Sequence, residues 1–188
     1  MKYLDVTSYH GTQIVSTADL KTHCRISTSE DDTYLEALES AAVRTLEEYT
    51  NLFLLTTTCK QYGNSFEDLN ILFKSPAQGG WGNVYYRKND AWEEFLEADI
   101  IHLMKPARVT LKTNGTIPSA QDTFQAWYVQ YKVGYSDIAS IPKPLIQAIK
   151  IMVATMYENR QSVIVGKVVS EIPKTAEYLM NPYKIQTL

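Results

Sequence analysis

Apolar side chains recur at i, i+3, i+4 and i+7 from Leu145 through Ile146, Ala148, Ile149, Met152, Val153 and Met156 to Tyr157. That spacing lays one broad apolar stripe along an α-helix. Pro142 and Pro144 suit its first turn, where a missing N–H would have been unpaired anyway, and Glu158, Asn159 and Arg160 return polarity at the far end. About nineteen residues at ~1.5 Å rise predict a rod of about 28 Å that crosses a small domain once. A second stripe, Leu35, Leu38, Ala42, Leu46 and Tyr49, runs to about Asn51, with Glu36, Glu39, Arg44 and Glu47 on the other faces. Ser29 with Asp32 reads as its capping pair, and Glu30, Asp31 and Asp32 put negative charge at the favourable end of the helix dipole.

Two short helices flank these long ones. Ser16-Thr17-Ala18-Asp19 reads as an N-cap with an acid three residues on, opening a helix to about Cys24. Pro173 opens a last helix from Lys174 to about Met180, and Asn181-Pro182-Tyr183 stops it. Residues 1–15 show no firm periodicity and predict an extended arm ordered by a neighbour.

Between the long helices the period shifts towards two. Strands are predicted at 56–62, Ile71–Phe73, Val84–Arg87, Ile100–Met104, Val109–Lys112 and Ala126–Val133. Asn89-Asp90 and Asn114-Gly115 tolerate positive φ, and the second is the stronger hairpin signal. Ser75 to Gly82 is a glycine-rich loop carrying Trp81, ordered by a partner or simply solvated. Ser162 to Val169 is an apolar connector that a strand, a buried loop or a subunit contact would each accommodate. The expected fold is α+β: a small α-helical core in two parts, 16–55 and 134–183, with an antiparallel β insertion at 56–133 between the long helices and a tail at 184–188. One domain with an insertion suits the 188 residues better than two independent cores.

Composition narrows the function classes. A 45% hydrophobic content supplies a sizeable core, and a net charge of −3 argues against phosphate neutralisation as the way the chain works. Two cysteines, Cys24 and Cys59, predict reduced thiols, with neither a disulfide framework nor a metal clip. No basic segment precedes an apolar h-region and no long apolar run occurs, so the expectation is a soluble chain without a cleaved signal or a membrane partner. Asn114-Gly115-Thr116 is read as turn chemistry, not as a glycosylation site.

Catalytic signatures do not stand out. His10, His23 and His102 have no metal-ligand spacing, and His23 beside Cys24 points the wrong way along a helix to share a proton. Phosphate-loop, dinucleotide and nucleophile-elbow patterns are missing, so no catalytic residue, metal or cofactor is expected. Charge is unevenly shared: residues 30–51 are acid-rich, including Glu36, Glu39 and Glu47, whereas 142–188 are base-rich, including Lys150 and Arg160. An acidic face meeting a basic face on a second copy would steer assembly, and two solvated faces fit the same pattern. Tyr85, Tyr86, Trp92, Trp127, Tyr128, Tyr131 and Tyr135 concentrate in or beside the β insertion, as residues of an interface, a sugar platform or a half-buried sheet do.

The order of these pieces resembles the tailed-phage head–tail connector, or adaptor, family. The resemblance is carried by Ser16-Thr17-Ala18-Asp19-Leu20-Lys21, His23-Cys24-Arg25-Ile26, Glu30-Asp31-Asp32, Glu48-Tyr49-Thr50-Asn51, Val133-Gly134-Tyr135, Ile141-Pro142-Lys143-Pro144-Leu145-Ile146-Gln147-Ala148-Ile149, Tyr157-Glu158-Asn159-Arg160 and Tyr178-Leu179-Met180-Asn181-Pro182-Tyr183. It implies a structural virion protein without chemistry of its own. Such proteins form a ring, commonly of twelve copies, beneath the portal protein. The ring extends the channel through which DNA passes and offers a platform to the next neck, stopper or tail-completion protein. The same resemblance implies portal docking through Lys174, Tyr178, Leu179, Met180, Tyr183 and Lys184, whereas the glycine-rich partner loop around Trp81 follows no pattern of the family. A ring interface is heterologous, which the opposed charges of Glu36, Glu39 and Glu47 against Lys150 and Arg160 would serve. The alternatives are a stopper or tail-completion protein, and a carbohydrate-binding module stacking sugars on Trp81, Trp92 or Trp127.

Overall fold

The computed structural model describes residues 3–8, 11–69, 82–101, 108–159, 163–164, 167–168 and 172–185. The elements in chain order are β1 (Tyr3–Ser8), α1 (Thr17–Cys24), α2 (Asp32–Thr50), β2 (Thr57–Gly63), β3 (Gly82–Lys88), β4 (Ala91–Glu94), β5 (Ala98–Ile101), β6 (Arg108–Leu111), β7 (Trp127–Val133), α3 (Lys143–Glu158), β8 (Val163–Ile164), β9 (Lys167–Val168) and α4 (Lys174–Met180). They fall into two compact units, one of Gly11–Thr50 with Ile138–Lys184, the other of Met1–His10, Asn51–Asp137 and Ile185–Leu188. The α+β class expected from the sequence is the one observed.

The helical unit is built on α3, whose Leu145, Ala148, Ile149, Met152 and Val153 are buried. Helices α2 and α4 pack on it, presenting Leu35, Ala42, Val43 and Leu46 from one and Ala176 and Met180 from the other. At the start of α1 the Ser16 hydroxyl accepts from the Asp19 N–H at 3.2 Å, as the capping pattern predicts. The start of α2 differs from expectation. Ser29 does not cap it: the Asp32 N–H turns back to the Ser29 carbonyl, and the helix opens at Asp32. Asp32 stands in the first turn as expected, and Asp31 and Asp32 have tertiary partners as well. Asp31 accepts from the Tyr157 hydroxyl at 2.6 Å, and Asp32 pairs with Lys21 at 2.8 Å.

The other unit holds a five-stranded antiparallel sheet in the order β1-β2-β7-β3-β4, with β5 and β6 as a separate hairpin. Its inner face closes over Cys59, Phe66, Leu69, Val84, Tyr86, Phe95, Val109, Trp127, Val129, Tyr131 and Val133. Residues 3–8 are therefore not an arm awaiting a neighbour. Leu4 lies opposite Gln61 and Val6 opposite Cys59, which makes this segment the edge strand of its own chain's sheet. Asn89 and Asp90, with φ of 50° and 61°, join Lys88 to Ala91 in a two-residue hairpin whose positive φ matches strand twist. Asn114-Gly115, the stronger signal, makes a turn closed by the Gly115 N–H on the Lys112 carbonyl, but irregular chain follows it and no hairpin forms. Strand expectations at Ile71–Phe73 and 102–104 lie outside the described residues. The connector expected at Ser162–Val169 contains the antiparallel β8–β9 pair.

Candidate interaction surfaces

Helix α4 presents its side chains in two directions. Ala176 and Met180 are fully buried in the helical unit, whereas Tyr178 is 78% exposed and Lys174 is open to solvent. Met180 is thus a core residue and not the apolar docking anchor expected of it, because the helical turn that points Tyr178 outward points Met180 at α3. Leu179 and Tyr183 are half-buried. The Tyr49 hydroxyl lies 3.0 Å from Glu177 and 2.6 Å from Asn181, and Lys184 Nζ sits 4.2 Å above the Tyr49 ring. Burial, then the neighbouring Glu177 carboxylate, raises the Tyr49 hydroxyl above its ordinary pKa.

The acidic face expected on α2 is smaller than its composition suggests. Glu39 is 4% exposed, and its Oε1 accepts from the Ile14 and Val15 N–H groups at 2.9 and 3.1 Å. Glu47 is also buried, with Arg44 at 3.8 Å. Glu36 remains exposed, 3.3 Å from the Thr17 hydroxyl. Glu39 and Glu47 are therefore removed from any exposed acidic face: the helix has turned them inward, where backbone and guanidinium donors meet them. Lys150 is half-buried, and Arg160 and Trp81 lie outside the described residues.

The outer face of the sheet holds a feature that sequence reasoning saw only as composition. Pairing places Tyr3 opposite Tyr62, Tyr62 opposite Tyr128 and Tyr128 opposite Tyr85, one aromatic row across four adjacent strands. Successive ring centroids lie 6.3, 5.5 and 4.6 Å apart, and the Trp92 ring meets Tyr128 edge-on at 4.6 Å. These separations suit offset and edge-to-face attraction. Tyr128, enclosed by Tyr62, Tyr85 and Trp92, is pushed up to about 12 by burial first, then by its Tyr85, Tyr62 and Glu94 neighbours. Lys60 Nζ sits 5.3 Å from the Tyr128 ring centre, a cation–π distance. The ends of the patch stay open, with Tyr3 at 55% and Trp92 at 41% exposure. Period-two alternation at 57–63 and 127–133 carries the signal that could have found this face, once the register is known.

Trp127 lies on the opposite, inner face, buried against Phe66, Tyr86 and Phe95. It is core packing and cannot stack a sugar. At the β3–β4 edge the Tyr86 hydroxyl donates to Glu93 at 2.5 Å and Lys88 approaches the same carboxylate at 3.2 Å. Those two hydrogen bonds hold Glu93 below its ordinary carboxyl range and raise Tyr86 and Lys88. Elsewhere on this unit a groove of about 530 Å³ is lined by Phe66, Glu67, Ile117, Pro118, Asp122 and Phe124, among others. Phe124 stands 64% exposed at its rim.

Cys59 is buried and Cys24 only partly so; burial, then Glu158, raises the Cys24 thiol above its ordinary value. Among the described residues no three His, Cys, Asp or Glu side chains are grouped to hold a metal ion, and no helix is long and apolar enough to cross a membrane.

The model of the phage gp6-like head–tail connector proteins matches residues 15–71 and 114–184, well over half of the sequence. The chain belongs to that family. Three solved structures share the connector's fold. The chain aligns with one from the neck of an empty GTA particle computed with C6 symmetry at a TM-score of 0.76 and 15% identity, covering 99% of this chain and 97% of that one. A chain from the virion of a native gene transfer agent particle gives 0.75 at 15% identity, with 98% and 96% covered. One from the neck of the native GTA particle, computed with C12 symmetry, gives 0.74 at 13% identity, with 99% and 97% covered. No curated protein sequence matches the connector.

Proposed function

We propose that this head–tail connector is a structural part of the virion neck, with no catalytic step of its own, and that its copies form a ring beneath the portal. The ring extends the DNA channel and presents a platform to the next neck or tail-completion protein. The observation that carries this reading is the family match across both parts of the helical unit and residues 51–71 and 114–137 of the sheet unit. The related fold in necks computed with C6 and C12 symmetry supports a ring of six-fold or twelve-fold order. DNA passes through such a channel without sequence-specific contacts, in keeping with a net charge of −3.

Portal docking falls to the exposed side of α4. Tyr178 is the anchor, with Lys174 beside it; Leu179, Tyr183 and Lys184 complete the rim. A Tyr carries large area at low entropy cost, which is why single exposed tyrosines dominate many interfaces. The test is negative-stain imaging of the protein alone and mixed with the portal protein of the same particle. Rings stacked on portal are expected, and Tyr178→Ala is expected to lower their number at least tenfold without changing the melting temperature. Absence of any association, with both proteins folded, would sink the reading.

A further inference from the structure

We infer that the aromatic outer face of the sheet is one half of the contact between adjacent copies in the ring, and that the Phe124 rim of the next copy's groove is the other half. This rests on the ring proposed above.

A closed ring of identical subunits needs two different complementary surfaces on each copy. The sheet unit carries two, and they differ in chemistry. The first is the face of Tyr3, Tyr62, Tyr128, Tyr85 and Trp92, whose charged neighbours on the same side are Lys60, Lys132 and Arg87, the last paired with Asp90 at 3.7 Å, against Asp5 and Glu94. The second is the groove, whose lining holds the acids Glu67 and Asp122 and no base, with Phe124 and Ile117 exposed. Aromatic groups flanked by Lys60 and Lys132 on one surface thus match apolar groups flanked by Glu67 and Asp122 on the other. Tyr and Trp are the side chains enriched at the centres of such contacts.

Size supports a neighbour held by the ring and not a tight free dimer. Four interstrand spacings of about 4.8 Å and strands of about 20 Å give a face of roughly 400 Å². Each partner in a stable complex of standard size buries about 800 Å². A contact of this extent is weak singly and gains strength when a template holds many copies in register. Tyr62 and Tyr128 lie inside the residues the family model matches, and Tyr3, Tyr85 and Trp92 outside them.

Two variants block one half each: Trp92→Glu on the face and Phe124→Glu on the groove rim. Both positions are exposed, and Leu96→Glu, at another exposed position of the same unit, serves as control. Ring formation is read by imaging with portal, pairing by cross-linking and sedimentation at high protein concentration, and folding by thermal melts. Each blocked variant alone is expected to lose about tenfold or more of its rings, and the control none. Mixed together, the two retain one good surface of each kind and are expected to give cross-linked pairs that do not extend. Normal rings from either variant would overturn the inference while leaving the ring reading intact, as would a mixture that fails to pair. Trp92→Glu subunits that ring normally but lose portal capture or glycan binding would assign the face to that partner instead. A native chain that forms no ring on portal would overturn the ring reading itself, and this contact with it.

Discussion

Glu39 shows how one residue's role is set by what surrounds it. Its position on α2 is what a solvated helix face would look like from the sequence, yet its carboxylate is buried and holds the N–H groups of Ile14 and Val15, just ahead of α1. Glu39→Ala would leave two buried donors without this acceptor, each at a cost of about 1–3 kcal/mol. The expected loss is about 2–6 kcal/mol in urea unfolding. Glu39→Gln, whose amide oxygen still accepts, should lose less than half of that. Tyr128 makes a pH prediction. Its folded pKa, about 12, stands above the unfolded value near 10, so the neutral phenol is favoured by the fold. Stability from this group is whole below about pH 10 and is lost as pH rises towards 12. Denaturant midpoints measured across that window should fall, and Tyr128→Phe should flatten the fall.

Among the elements, the close approach of the chain before β2 to the chain after β7 depends on Gly134. Its φ is +93°, and an added Cβ would overlap the Leu55 carbonyl, where the chain segments run side by side through the Leu55–Tyr135 bridge. Only glycine meets both demands. Gly134→Ala is expected to cost about 3 kcal/mol or more, combining the positive-φ penalty with a backbone clash. A calorimetric melt would check it, and a change within 0.5 kcal/mol would refute the account. Helices were legible because each carries a local signal, a cap in α1, an apolar stripe in α2 and α3, and a proline before α3 and α4: all lie within a few residues of where those signals place them. Strand β1 was not, since the alternation of Tyr3, Leu4, Asp5 and Val6 is short and its partner β2 lies more than fifty residues away in sequence. Nor could local rules rank Asn89-Asp90 above Asn114-Gly115, because a hairpin needs a following strand as well as a turn.

At the scale of the whole molecule, the connector's C-terminal segment is both surface and scaffold. Ala176, Met180 and Ile185 are buried, and the Ile185 carbonyl accepts from Asn51 at 3.1 Å, while Tyr178 faces solvent. Deleting residues 173–188 therefore removes core as well as any docking site. Losing even two large buried side chains costs about 4–10 kcal/mol, comparable with the ~5–15 kcal/mol total stability of a domain. The truncated chain is expected to melt far lower or fail to fold by circular dichroism. A truncation that melts normally would show that α4 is dispensable to the core. Point changes at Tyr178 are the cleaner probe of docking.

The sequence by itself determined the helical stripes, the β-rich middle, the family and the lack of any catalytic signature, because periodicity, caps and motif order are local properties that survive without a third dimension. Tertiary structure alone decided which acids are buried, which tryptophan is core and which tyrosines line up on one open face. Those outcomes depend on strand register and helix rotation, where a shift of one residue moves a side chain to the other face. Register is fixed by partners distant in sequence. It is there that Trp127 and Trp92, alike in composition, become a buried packing residue and an exposed end of the aromatic row.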